Sequence, residues 1–331
     1  MKGFLPVPDP IAFRIFGLEV RWYAITLVVA IIAAVCIMYW RAPKYGIQPR
    51  DRVLDFMLWI VPIGVIGCRV YYVIFEWEKY KDNFWSVFEI WKGGIAMHGG
   101  LIFGITTAVI LVRHWKQKPL KWLDLVAPGL ALAQSIGRWG NYFNSEAHGT
   151  PTTLPWAIEV NGELVHPTFL YASIWDFLMF LLILWIELSG RRKFDGQLIL
   201  THLMVYSFGR FFNEGLRTDS LWIGSLRQAQ VISVCIFLGA LALYIFLAKR
   251  AKKKGTYGTE SLALASARTQ KKHGYKPPAE ESPAAEPVSD DAVVLEPDAQ
   301  GPTAEKETEE AQRPAAEKKT EEAQEPLQTV H

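Results

Sequence analysis

Trp22-Tyr-Ala-Ile-Thr-Leu-Val-Val-Ala-Ile-Ile-Ala-Ala-Val-Cys-Ile-Met-Tyr-Trp40 is an apolar run with no charged side chain. Its length approaches the roughly 20 residues that a helix needs to cross a bilayer. Further runs follow at Val53–Phe75, Ile95–Val112, Trp122–Gly137, Thr168–Leu188, Gln197–Phe212 and Ala229–Leu247. The fourth and sixth are short and interrupted by polar residues. The chain therefore reads as an all-α integral membrane protein with about seven transmembrane helices. Half of its 331 residues are hydrophobic, with 13 Trp and 18 Phe, which suits this class.

The formal charge of +2 hides a segregation. One set of loops carries Arg41, Lys44, Arg50 and Arg52, then Arg113, Lys116, Lys118 and Lys121, then Arg191, Arg192 and Lys193. Lys249, Arg250, Lys252, Lys253 and Lys254 follow the last run. The alternate loops carry Glu76, Glu78, Asp82, Glu89, Glu159 and Glu163. The cation-rich side is expected to be cytoplasmic. That places the N-terminus outside and the C-terminus inside, and an odd number of spans agrees. Met1–Val20 lacks a basic stretch followed by an apolar core, so no cleavable signal peptide is expected.

The division of the chain follows composition. Residues 1–250 read as the membrane domain. Residues 251–331 read as a basic juxtamembrane segment and a disordered cytoplasmic tail. From Gly255 onward the chain is rich in Ala, Glu, Lys, Pro and Thr, too poor in apolar surface to offset the cost of ordering. It also repeats itself, Ala304–Pro314 returning as Ala316–Pro326. Cys36, Cys68 and Cys235 lie inside apolar runs and read as small buried hydrophobes rather than disulfide or zinc positions.

Ionisable groups inside spans cost about 2.5–3.5 kcal/mol each near a helix centre. Here they gather. His98 opens the third run, Arg138 closes the fourth, Arg210 and Glu214 end the sixth, Arg69 lies in the second and Tyr23 begins the first. Under the topology above, all share one depth near the outer leaflet and point to a single site. His98, in Met97-His98-Gly99-Gly100, is a base candidate near neutral pH or a histidine bonded within the bundle. Arg138 offers a planar fork to phosphate oxygens. Snorkelling to the interface explains it alone, but less well with Asn141, Asn144 and Glu146 following. Arg210 and Glu214, four apart, share a helix face. An internal ion pair or direct ligand contact fits them equally. His166-Pro167-Thr168 with Tyr171 reads as an ordinary helix start. Neither a metalloprotease histidine pair nor a magnesium-type aspartate series occurs, so no metal or cofactor is expected.

Together these residues resemble the prolipoprotein diacylglyceryl transferases of bacteria. The resemblance rests on His98-Gly99-Gly100, on Gly137-Arg138-x-Gly140-Asn141-x-x-Asn144-x-Glu146-x-x-Gly149, on His166-Pro167-Thr168-x-x-Tyr171, and on Gly209-Arg210-Phe211 with Glu214 and Arg217. It covers about Ile11 to Lys249. Tyr142 stands where the family usually has Phe. The resemblance implies transfer of a diacylglyceryl group from phosphatidylglycerol to the thiol of the cysteine following a prolipoprotein signal peptide, with release of glycerol phosphate. This would take place at the cell membrane, near its outer leaflet, with no nucleic acid involved. His98, Arg138 and Arg210 would be catalytic, and Arg138, Asn141, Asn144, Glu146, Tyr23 and Glu214 would bind substrate.

The residues suit that chemistry. A thiol with a pKa of about 8.5 gains from a base such as His98. The arginines can stabilise charge on a departing phosphate ester. Whether His98 removes the proton or only positions the lipid stays open. A transporter would want polar positions on both sides of the midplane and often an internal repeat. A scaffold would leave His98 and the arginines without a purpose. A nucleotide-dependent phosphatidyltransferase would need a missing aspartate motif.

Overall fold

The computed structural model describes residues 3–6, 9–15, 17–90 and 93–259. Seven long helices follow one another: α1 Trp22–Arg41, α2 Arg52–Phe75, α3 Met97–His114, α4 Pro119–Phe143, α5 Thr168–Leu188, α6 Gln197–Leu216 and α7 Gln228–Lys253. The expected tail falls, from residue 260 on, outside the described residues.

Three antiparallel hairpins interrupt the connections. They pair β1 (Ile11–Ile15) with β2 (Leu18–Arg21), β3 (Ile158–Val160) with β4 (Glu163–Val165), and β5 (Trp222–Ile223) with β6 (Leu226–Arg227). The all-α expectation is corrected at these points. Strands of two to five residues are too short to imprint an alternating pattern on the sequence. The helix ends also differ from the apolar runs. α4 continues past Gly137 to Phe143, and α6 past Phe212 to Leu216. Apolar run length measures contact with lipid, and these helices carry their polar residues on sides that face protein.

Among the described residues, five helices (α1, α2, α3, α5 and α7) are long and apolar enough to cross a membrane. α4 and α6, with 25 and 20 residues, are long enough but too polar by composition. Burial explains the difference. α4 packs against α1, α3, α5 and α6, and its Leu125, Ala127 and Ala131 are fully enclosed. The outer helices instead expose Leu27, Leu58, Ile105 and Phe246. A rim of exposed large apolar side chains around a partly polar centre suits lipid rather than water. The chain is a multi-pass membrane protein.

Close approach between helices is bought with glycine. A Cβ on Gly129 would stand 3.0 Å from the Ala34 carbonyl oxygen of α1. A Cβ on Gly67 of α2 would lie 2.8 Å from the Gly99 carbonyl oxygen of α3. Such small-residue crossings let backbones meet where lipid offers no hydrophobic drive to association.

Arg69 proves to be structural. Its guanidinium donates to the carbonyls of Ser86, Val87, Gly93 and Gly94 at 2.7 Å each and lies over the Tyr80 ring. It holds the α2–α3 connection in place, and every one of those partners is local to that connection. The depth argument that grouped it with the other ionisable residues fails for this side chain.

The other end of the bundle is tied by Asp124, which is fully buried on α4. Its carboxylate accepts from Arg192 Nε at 2.9 Å and from the N–H groups of Gly196, Leu198 and Ile199 at 2.8–3.1 Å. Those amides are the orphan donors at the start of α6, so one carboxylate both caps a helix and pairs a cation. Beside it Arg41, also fully buried, pairs with Glu187 Oε2 at 2.6 Å. It also donates to Tyr45 and to the carbonyls of Asp124 and Leu125. The knot joins the end of α1, the start of α4, the end of α5 and the start of α6. Arg41 and Arg192, counted from sequence as loop cations, are therefore enclosed and paired.

Breaking a buried pair from one side costs about 3–5 kcal/mol, because the remaining charge stays enclosed. Asp124→Ala is expected to lower the thermal unfolding midpoint in detergent far more than Asp51→Ala, whose side chain meets Tyr39 at an exposed site. Equal midpoints for the two variants would show that the knot does not hold the bundle.

Candidate functional site

A cavity of about 270 Å³ opens between α4, α5 and α6. Arg138 of α4 and Arg210 of α6 both line it, with Asp176, Tyr171 and Trp175 of α5 and Tyr206 and Asn213 of α6. The Arg138 Nε donates to Asp176 Oδ2 at 3.2 Å, and Nη2 donates to the Tyr206 hydroxyl at 3.4 Å. Among the described residues Nη1 makes no protein hydrogen bond. Arg210 Nη2 pairs with Glu214 Oε2 at 2.9 Å, one turn along the same helix. Each guanidinium is thus gripped on one edge by a carboxylate, with donors left over. Two such forks in one cavity suit the oxygens of a phosphate.

Glycine and tryptophan also shape the cavity. The Trp175 indole donates Nε1–H to the Val205 carbonyl at 2.9 Å and lies directly on Gly209. No side chain fits at position 209 without moving the indole. Tyr171 accepts from Trp156 Nε1 at 2.7 Å and meets His166 Nδ1 at 3.2 Å. The His166–Tyr171 stretch, which from sequence reads as a plain helix start, therefore brings a hydroxyl to the cavity.

The remaining sequence-derived residues do not converge on this wall. Successive helical positions turn by about 100°, so the signature wraps the end of α4. Arg138 faces α5 and α6. Gly140 faces α1, where a Cβ would lie 2.6 Å from the Tyr23 ring. Asn141 and Glu146 line a separate cleft of about 10 Å³ with Glu159 and Val160 of β3. Asn144 caps the helix, and its Nδ2 reaches Glu146 Oε1 at 3.5 Å. None of Asn141, Asn144 or Glu146 is a hydrogen-bond or ion-pair partner of Arg138 among the described residues. Asp176 and Tyr206 orient it instead.

His98 also lies off the cavity wall. It is exposed on the first turn of α3, and its ring stacks on Tyr71 at 5.8 Å. α3 meets α4 through Val112 and its neighbours against Trp122 and Leu125, at the far end of the helix from His98. The expectation of a single site gathered His98 with the arginines, but His98 does not line the cavity they share. Arg217 is held outside the cavity by Asp219, through bonds of 2.9 and 2.7 Å. That guanidinium keeps the Asp219 carboxyl below the usual carboxylate range.

Sequence reasoning missed Asp176. A lone carboxylate in the apolar run Thr168–Leu188 is the kind of costly residue that exposed Arg138 and Arg210, and the same criterion would have found it. Tyr206 and Trp175 gave no comparable signal, since aromatic residues are ordinary in membrane helices.

The family model described as prolipoprotein diacylglyceryl transferase matches residues 10–246. A phosphatidylglycerol–prolipoprotein diacylglyceryl transferase of Clostridioides difficile is 45% identical over 74% of this chain and 97% of its own length. Its counterpart in Finegoldia magna is 44% identical over 72% of this chain and 95% of its own. That of Listeria innocua is 40% identical over 78% and 96%.

The packing at Gly209 makes a paired prediction. Gly209→Ala drives a methyl into the Trp175 indole, whereas Gly239 of α7 has open space at its Cβ. Overpacking typically costs 1–3 kcal/mol, while Gly→Ala in a helix gains roughly 0.5–1 kcal/mol. Thermal midpoints should fall for Gly209→Ala and stay level or rise for Gly239→Ala. Shifts of the same sign and size would contradict the described contact.

Proposed function

The chain belongs to the prolipoprotein diacylglyceryl transferase family, and from that premise we propose how its two-arginine cavity serves the reaction. The enzyme transfers a diacylglyceryl group from phosphatidylglycerol to prolipoprotein, the first step of lipoprotein maturation. In the proposed mechanism the acceptor is the thiol of the cysteine just after the signal peptide. Its sulfur attacks the glyceryl carbon that carries the phosphodiester. The C–S bond forms as the C–O bond breaks, and glycerol phosphate departs with the electron pair.

One observation carries this reading: Arg138 and Arg210 line one cavity, each with donors uncommitted. They grip the lipid phosphate and stabilise the charge that grows on it. Asp176 and Tyr206 keep Arg138 aimed at the cavity, and Glu214 does the same for Arg210. Asn141, Asn144 and Glu146, on the neighbouring face, bind the glycerol hydroxyls. Tyr23, packed on Gly140, meets the head group from α1.

His98 takes the thiol proton. Its exposed place on α3 puts it on the side from which a peptide arrives rather than on the wall that holds the phosphate. Seven spans, an external N-terminus and a cytoplasmic C-terminus set this cavity near the outer leaflet of the cell membrane. Residues 1–250 carry the reaction, and the segment beyond takes no part.

The test is to incubate the purified protein with phosphatidylglycerol and a peptide spanning a signal-peptide cleavage region and its cysteine. A diacylglyceryl mass gain on the peptide and free glycerol phosphate are expected. Arg138→Ala should abolish both while keeping the fold, and wild-type turnover in that variant would overturn the phosphate role. His98→Gln should depress turnover and remove an ionisation from the pH–rate profile. An unchanged profile would rule out its proton transfer.

A further inference from the structure

A second cavity, of about 530 Å³, lies at the opposite end of the bundle from Arg138. Lys118, Lys193, Arg250 and Lys254 line it, above Leu120 and Leu247. Arg138 lies 20 positions along the chain from Lys118, the N-cap of α4 (138 − 118), a rise of roughly 30 Å, the thickness of a bilayer's hydrocarbon core. The two cavities are thus separated along α4 by about the thickness of a bilayer's hydrocarbon core.

Three separate segments supply the cations: the α3–α4 connection, the α5–α6 connection and the last turns of α7. Asp195 also lines the cavity, but its carboxylate is engaged by Arg192 at 2.5 Å. The rim is a built structure. After α7 the chain folds back, Gly258 N–H donates to the Lys193 carbonyl at 2.8 Å, and Tyr257 stacks on Phe194. Leu120 and Leu247 converge over Gly196, which has φ +93°. Just along α7, Leu243 and Phe246 are exposed on its outer surface.

We propose that this cavity binds the phosphate head group of an anionic phospholipid of the leaflet opposite the reaction site. Lys118, Arg250 and Lys254 meet the phosphate, and the acyl chains run down over Leu247 and the exposed face of α7. Basic pockets between helices at a membrane face are suited to this chemistry. A soluble anion would use the cations but leave the apolar floor and the adjoining lipid-facing helix without a function. The site lies outside the catalytic cavity and does not depend on the transferase mechanism.

The experiment uses the full chain in phosphatidylcholine nanodiscs with phosphatidic acid as the probe, read by native mass spectrometry. The combined variant Lys118→Gln, Arg250→Gln, Lys254→Gln should weaken phosphatidic acid retention about a hundredfold. The charge-preserving pair Lys118→Arg, Lys254→Arg should retain it, which separates lost charge from lost fold. Arg138→Ala should retain it as well. Equal retention by the wild type and the triple glutamine variant would overturn the proposal. So would soluble glycerol phosphate binding as tightly as phosphatidic acid, since that would mark a site for free anions.

Discussion

The carboxylate of Asp124 is the contact on which the arrangement of this protein depends. It lies fully buried on α4 and caps the start of α6. From Asp124 to Arg138 is 14 residues along α4 (138 − 124). From Gly196, bonded to Asp124, to Arg210 is also 14 residues along α6 (210 − 196). Both helices run in the same direction from one tie point and rise about 21 Å before reaching their arginine. Equal spacing from a shared anchor brings two guanidinium groups to one level. A slip of one turn at the anchor would move them apart by ~5 Å.

This geometry also explains why charged groups can lie inside an apolar bundle. Each has a defined partner: Arg41 with Glu187, Arg192 with Asp124, Arg138 with Asp176, Arg210 with Glu214. At the knot Arg41 makes four hydrogen bonds, to a carboxylate, two carbonyls and a hydroxyl. In the cavity each arginine has donors to spare. The same residue types serve cohesion at one end and ligand contact at the other, and hydrogen-bond saturation makes the difference.

Much of this was legible in the sequence. The apolar runs located the seven long helices of the described residues, and five of these are long and apolar enough to cross a membrane. Helix ends were misplaced where the signature begins, since α4 and α6 turn polar residues toward protein. The strand pairs left no trace in runs of two to five residues. Arg138, Arg210 and Glu214 stood out by the cost of charge in a membrane, and the structure brings them together. Depth alone could not separate them from Arg69, which serves a loop, or from His98, which sits to one side. Lateral position around a bundle depends on which helices touch, and the order of residues does not encode that directly.

The central claim is that a shared tie at Asp124 delivers Arg138 and Arg210 to one phosphate. A structure of the protein determined in lipid nanodiscs with phosphatidylglycerol tests it most directly. The account predicts the head-group phosphate against both guanidinium groups, with Asp124 still bonded to the first amides of α6. A phosphate held elsewhere, or the two arginines at different levels along the bundle, would contradict it.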